Sequence, residues 1–287
     1  MSEKSPIGSY VIAITHQELF GSVTKLVGAL QPDQFSRLKV SSGEHLAAIL
    51  ITAFLGTPPK SIDSTGETDL LFKIPQSLPG HPLGRRLGLG NKRFADFEVK
   101  SLPGEFRKYD ALIDQALKTG MSADQTPFKA TVTSINAVLR EARPTVLRAK
   151  RQLDMKKRPE HSRNIFLIVH FFDYPTVECY KSQLIAHLLD PIDDLGGIDS
   201  MWVLWAPTHL VVWSSEHRQW TNLIFSAIDP SSTIPDRDES IELLQQVELE
   251  FLKKTNYSGQ SPYVFSLTAA GDEASDPRSD TNRPAST

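Results

Sequence analysis

Residues 94–100, which read FADFEVK, alternate strictly between apolar and polar side chains. A period of two is typical of a β-strand, because successive side chains of a strand point to opposite faces of its sheet. We therefore expect three apolar side chains to face a core, namely Ala95, Phe97 and Val99. The other face then carries a row of charges formed by Asp96, Glu98 and Lys100. Such a row is either a solvated edge or a cation site with a lysine beside it.

Periodicity elsewhere predicts a chain that mixes helices and strands. Helical spacing occurs over residues 17–30, 45–55, 105–118, 132–153, 220–228 and 240–254. Pro144 is expected to kink or break the fourth of these. Strand-like runs occur over 10–14, 69–74, 165–172, 201–206 and 209–213, and the last two are expected to form a hairpin. This order predicts an α/β or α+β fold with a central mixed sheet flanked by helices.

Composition limits the class of protein. The 287 residues include one cysteine, Cys179, which suits a reducing compartment. No stretch has the length of a membrane span or a signal peptide, so we expect a cytoplasmic protein without a membrane partner. We expect a single domain over residues 1–268. Residues 269–287 carry no apolar side chain larger than alanine except proline, which predicts a disordered tail.

Basic residues are concentrated in residues 140–163, where only Glu141, Asp154 and Glu160 oppose them. The net charge is −3, so any nucleic-acid binding has to come from such a local basic face. The run is either a solvated helix face or a phosphate-binding surface. The candidate nucleic-acid contacts come from this run and from the residues just before the charged strand. They are Arg85, Arg86, Lys92, Arg93, Arg148, Lys150, Arg151, Lys156, Lys157 and Arg158.

Hydrolysis of a phosphodiester needs charge stabilisation and an activated water, which carboxylate-bound Mg²⁺ can supply. Glu98 and Lys100 lie two residues apart on one strand face. Asp69 begins the preceding strand and is the best-placed second carboxylate, and Asp63, in the loop before that strand, is the alternative. Glu44 stands in the first turn of the predicted helix 45–55, after Ser-Ser-Gly.

An acid that opens a hydrophobic strand, followed by E-x-K on the next strand and then a helix, resembles the PD-(D/E)xK nuclease superfamily. The resemblance covers roughly residues 41–120, and residues 165–172 would add a further core strand. It implies a restriction-endonuclease-like core over about 41–175, with the basic helical segment of about 132–160 inserted. The implied activity is Mg²⁺-dependent DNA endonuclease activity, with Mn²⁺ as an alternative metal, in restriction, phage defence or DNA repair. The resemblance implies DNA as the partner. It leaves open whether the protein forms a homodimer.

The resemblance also implies roles for individual residues. Asp69 and Glu98 would hold the metal, Lys100 would orient the attacking water, and Glu44 would be an auxiliary catalytic residue. Asp96 is an additional acid on the same face and a further candidate metal ligand. Two alternatives stay open: an inactive nuclease-like module that binds DNA or supports assembly, and an unrelated α/β interaction protein with an exposed charged strand.

Overall fold

The computed structural model describes residues 12–35, 37–38, 43–62, 68–77, 87–89, 91–101, 118–119, 135–156, 158–168, 195–206, 209–226, 246–247 and 249–255. The helices in these ranges are α1 (His16–Ala29), α2 (Pro32–Phe35), α3 (Glu44–Leu55) and α4 (Ile135–Met155), and residues 249–255 are also helical. The strands are β1 (Ile12–Thr15), β2 (Pro59–Ile62), β3 (Leu70–Lys73), β4 (Phe94–Ser101), β5 (His161–Ile168), β6 (Ser200–Ala206), β7 (His209–Ser214) and β8 (Gln219–Ser226).

All eight described strands form one mixed sheet in the order β1-β8-β7-β6-β5-β4-β3-β2. Strands β2, β3 and β4 form an antiparallel meander, and β4, β5 and β6 run parallel to one another. The charged strand β4 therefore lies inside the sheet between β3 and β5. The predicted class, a mixed sheet flanked by helices, is confirmed.

Helices cover both faces of the sheet. On one face, α1 and α3 pack against a core that includes Ala95, Phe97 and Val99, as the alternation predicts. On the other face, α4 buries its apolar side against β5, β6 and β7 and also contacts β4. That apolar side consists of Ala142, Val146, Ala149 and Leu153.

The position of α4 decides the environment of the charged row. Asp96 is 2% exposed and Glu98 is 0% exposed, so neither lies on a solvated edge. Burial of an ionised carboxylate is costly unless it is paired or hydrogen-bonded, so each must have partners.

At two places the structure differs from what the sequence predicts. Residues 220–228 were expected to be helical, but residues 219–226 form β8, in which Trp220 pairs with Trp213 of β7. Short apolar runs do not separate helix from strand by periodicity, and here cross-strand pairing decides. Strand β2 was not predicted. Helix α4 continues through the exposed Pro144, so of the kink or break expected there the break does not occur.

In the described part of the chain, no helix combines the length and the apolar character that a bilayer crossing requires. The predicted helix 105–118, apart from its last residue, lies outside the described ranges. So do the tail 269–287, residues 169–172 of the predicted central strand, and Cys179.

Candidate active site

Asp69 and Glu98 are neighbours across two strands. The register of β3 and β4 pairs Leu70 with Phe97, and its continuation sets Asp69 opposite Glu98. Asp69 Oδ2 accepts a hydrogen bond of 2.8 Å from the backbone N–H of Val99. This bond fixes the Asp69 carboxylate against the middle of β4, on the face covered by α4.

Lys100 bridges the two carboxylates. Its Nζ lies 3.1 Å from Asp69 Oδ2 and 3.0 Å from Glu98 Oε2. Since both oxygens contact the same nitrogen, they lie within about 6 Å of each other. The structure thus brings together the three residues that the sequence motif selects.

A second lysine enters the site from α4. Lys156, which follows the last residue of that helix, places its Nζ 3.1 Å from Glu98 Oε1. Each oxygen of Glu98 therefore contacts its own ammonium group. The sequence predicts Lys156 as a nucleic-acid contact but gives no sign of its pairing with a buried acid. The two residues are 58 positions apart, so only the packing of α4 over β4 reveals the contact.

Burial shapes the charge state of the site. Burial raises the pKa of Glu98 above its ordinary value, and the nearby charge of Asp69 raises it further, against the opposing effect of Lys100 and Lys156. Burial alone would lower the pKa of Lys100, but Asp69 and Glu98 outweigh it and hold that pKa above its ordinary value. Lys100 is therefore an ammonium at neutral pH, which can donate hydrogen bonds and cannot act as a general base.

Asp96 lies on the same face as Glu98, one step nearer the start of β4, and has different partners. Its Oδ2 is 3.0 Å from His161 Nδ1, and its Oδ1 accepts a 3.2 Å hydrogen bond from Thr68 Oγ1. The Asn164 side chain donates to the Asp96 carbonyl. These bonds tie β4 to β5 and to the residue before Asp69, so the geometry favours a structural role for Asp96 over metal ligation.

Glu44 begins α3 and is 3% exposed. The preceding Gly43 has φ of 77°, and a Cβ there would collide with Ile168 at the end of β5. Because Ile168 pairs with Ser101, the start of α3 lies at the Lys100 end of β4, but α3 packs on the opposite face from α4. Glu44 therefore lies near the end of β4 that carries Lys100, but on the face of the sheet opposite to the one that α4 covers.

The other predicted nucleic-acid contacts are more scattered. Arg148 and Arg151 are exposed on α4, whereas Lys150 pairs with Asp154 at 2.7 Å. Lys92 donates to the Pro159 carbonyl. Arg93 is exposed, 4.0 Å from Glu160, and Arg158 is half-buried. Four predicted site residues lie outside the described ranges, namely Asp63, Arg85, Arg86 and Lys157.

The chain matches no protein-family model, and neither the search of curated proteins nor that of solved structures returns a significant match.

Proposed function

We propose that this protein is a Mg²⁺-dependent nuclease that hydrolyses phosphodiester bonds in DNA, with Asp69, Glu98 and Lys100 at its active centre. The observation that carries the proposal is the pair of acids on adjacent strands, bridged by one lysine and covered by α4. A buried acid with a raised pKa and a specific charge partner is typical of functional sites. The direct test is DNA cleavage with Mg²⁺ and its loss with EDTA.

The order of the elements supports a restriction-endonuclease-like core. Helix α3 precedes the meander β2-β3-β4, Asp69 immediately precedes β3, and Glu98 and Lys100 stand on β4. Helix α4 follows, and β5 then joins β4 in parallel. The resemblance to PD-(D/E)xK nucleases implies a helix, an acid-bearing strand, an E-x-K strand and then a helix. The helix that it implies after the E-x-K strand, 105–118, lies outside the described residues apart from its last residue, and α4 belongs to the segment predicted as inserted.

The donor set fits a divalent metal. Asp69 and Glu98 present carboxylate oxygens, which Mg²⁺ and Mn²⁺ prefer over nitrogen or sulfur. A metal held by these two residues would stabilise the negative charge that grows on the phosphate and lower the pKa of the attacking water. The other roles belong to the protein: the Val99 N–H orients Asp69, α4 covers Glu98, and the Lys100 ammonium donates to the water or to a phosphate oxygen.

The basic face of α4 would hold the DNA backbone. Arg140, Arg148 and Arg151 are exposed and, at 100° per residue, fall on one side of the helix. We expect the double variant Arg148→Ala/Arg151→Ala to bind DNA more weakly at every sequence. The slope of log K against log salt should become shallower by about 2, since each phosphate contact contributes about −0.9. Fluorescence anisotropy at several salt concentrations measures both changes.

The control is the double variant Lys253→Ala/Lys254→Ala, which removes the same charge from exposed positions in the helical residues 249–255. These residues pack on the other face of the sheet, so the slope of log K against log salt should stay as in wild type. Equal slopes for wild type and the α4 variant would exclude this face as the DNA-binding surface.

The raised pKa of Glu98 makes metal binding depend on pH. A metal needs the ionised carboxylate, so a Glu98 that is still partly protonated above pH 4.5 must release its proton on binding. We expect Mn²⁺ affinity to fall as the pH drops through the raised pKa, and the binding heat there to vary with the ionisation enthalpy of the buffer. Calorimetry at a pH well above the raised pKa, where Glu98 is ionised, should show no buffer dependence. Buffer-independent heats at both ends of the range would contradict this assignment.

One observation favours a second candidate, an inactive nuclease-like module that binds DNA. Lys100 and Lys156 already neutralise the acidic pair, as a purely structural ion-pair cluster would. Titration with Mn²⁺ separates the candidates, because the inactive module would bind DNA on α4 without binding metal at Asp69 and Glu98.

A further inference from the structure

The nuclease proposal does not by itself explain why Glu98 has two lysines. Lys100 occupies one of its oxygens and Lys156 occupies the other, at 3.0 Å and 3.1 Å. The side chains of both lysines are about one-fifth exposed, whereas that of Glu98 is 1% exposed. A divalent metal on Asp69 and Glu98 would place a second positive charge beside both ammonium groups, and this repulsion disfavours keeping both lysines on Glu98.

The two lysines are held differently. Lys100 is part of β4 and contacts Asp69 Oδ2 as well as Glu98 Oε2, so it keeps one carboxylate contact if a metal takes Glu98 and the other oxygen of Asp69. Lys156 comes from the end of α4, the helix that carries the exposed arginines. An ammonium released from Glu98 at that point is well placed for a phosphate that α4 would hold.

We propose that Lys156 is an exchangeable phosphate-binding residue: it neutralises Glu98 in the metal-free protein and transfers to a phosphodiester oxygen when a divalent metal occupies Asp69 and Glu98. The inference rests on the proposed nuclease function and extends it, because it makes metal and substrate binding mutually dependent. Such coupling is reciprocal, so the metal tightens DNA binding by the same factor as DNA tightens metal binding.

The first test measures metal binding without DNA. Ca²⁺ is the probe, because it prefers oxygen ligands as Mg²⁺ does. Calorimetry at pH 8 should show that Lys156→Met binds Ca²⁺ about three- to tenfold more tightly than wild type, because a competing positive charge has been removed. Lys254→Met is the charge-matched control, since Lys254 pairs with Glu250 on an exposed surface, and it should bind Ca²⁺ as wild type does.

The second test measures the coupling. Anisotropy with a labelled DNA duplex gives the factor by which Ca²⁺ tightens DNA binding. We expect this factor to be several-fold smaller in Lys156→Met than in wild type, and to be largely restored in Lys156→Arg, which keeps a cation at that position. A lysine with only a structural role would not change the factor.

The outcomes separate this inference from the function on which it rests. If wild type binds Ca²⁺ but Lys156→Met has the same affinity and coupling factor, the exchange is wrong and the nuclease proposal stands. If wild type binds no divalent metal, both are wrong. A Lys156→Met protein that does not fold would show that the pair with Glu98 is structural, and would also overturn the exchange.

Discussion

Replacement of Lys100 by methionine should reduce Mg²⁺-dependent DNA cleavage by about 10²- to 10³-fold, the loss seen when one preorganised donor to a transition-state charge is removed. Methionine keeps much of the packing of the aliphatic chain but removes the ammonium that contacts Asp69 and Glu98. Initial rates of cleavage measured under single-turnover conditions give the effect on the chemical step.

The same variant should be less stable than wild type. The pKa of Lys100 is higher in the folded protein than its ordinary value, so its charge stabilises the fold at every pH below about 10.5 and this contribution is lost only as the pH rises above that value. Two neighbouring carboxylates also lose their common partner, and we expect a loss of about 1–3 kcal/mol in the free energy of unfolding. Lys254→Met should be close to wild type in both assays. Cleavage by Lys100→Met within tenfold of wild type would contradict the role of this ammonium.

Replacement of Glu98 by glutamine should abolish metal binding and reduce cleavage by at least about 10³-fold, yet leave the protein at least as stable as wild type at pH 8. The reason is the direction of the pKa shift. Because the pKa of Glu98 is raised by folding, its contribution to stability is fully present below the ordinary value of 4.5 and is lost as the pH rises through the raised value. Once the pH exceeds the raised value, the ionised carboxylate therefore costs stability, and the neutral amide removes that cost.

Thermal unfolding and Mn²⁺ calorimetry on the same preparation test both parts of this prediction. Glu250→Gln is the matched control, because Glu250 pairs with Lys254 at 3.2 Å on the surface. It should keep metal binding and cleavage. A Glu98→Gln protein that binds Mn²⁺ normally, or that is strongly destabilised at pH 8, would mean that Glu98 is a structural acid. Loss of function without loss of stability is the signature of a residue kept for activity.

The sequence predicts those parts of the site that depend on local order. The alternation in residues 94–100 is a property of one strand, so it correctly assigns Ala95, Phe97 and Val99 to a core and the three charges to the opposite face. Asp69 is selected because an acid precedes an apolar strand, and the meander then sets it opposite Glu98. The first step needs no contact between distant parts of the chain, and the second needs only the pairing of the consecutive strands β3 and β4.

Long-range packing supplies the rest. From the sequence of one strand, a charged face is predicted to be exposed to solvent. Here α4 covers that face, and this could not be predicted because α4 comes much later in the chain than β4. The register of that helix brings Lys156 to Glu98, and the pairing of β5 with β4 brings His161 to Asp96. The same limit explains residues 219–226, whose strand state follows from pairing with β7.

The central claim is that Asp69, Glu98 and Lys100 form a metal-dependent nuclease centre, and DNA cleavage tests it most directly. Wild type and Lys100→Met are incubated in parallel with supercoiled, linear and single-stranded DNA in Mg²⁺, Mn²⁺ or EDTA. We predict that wild type cleaves at least one of these substrates with Mg²⁺ or Mn²⁺, that EDTA stops the reaction, and that Lys100→Met yields no product over the same time. Cleavage that persists in EDTA, equal cleavage by Lys100→Met, or intact DNA under all of these conditions would contradict it.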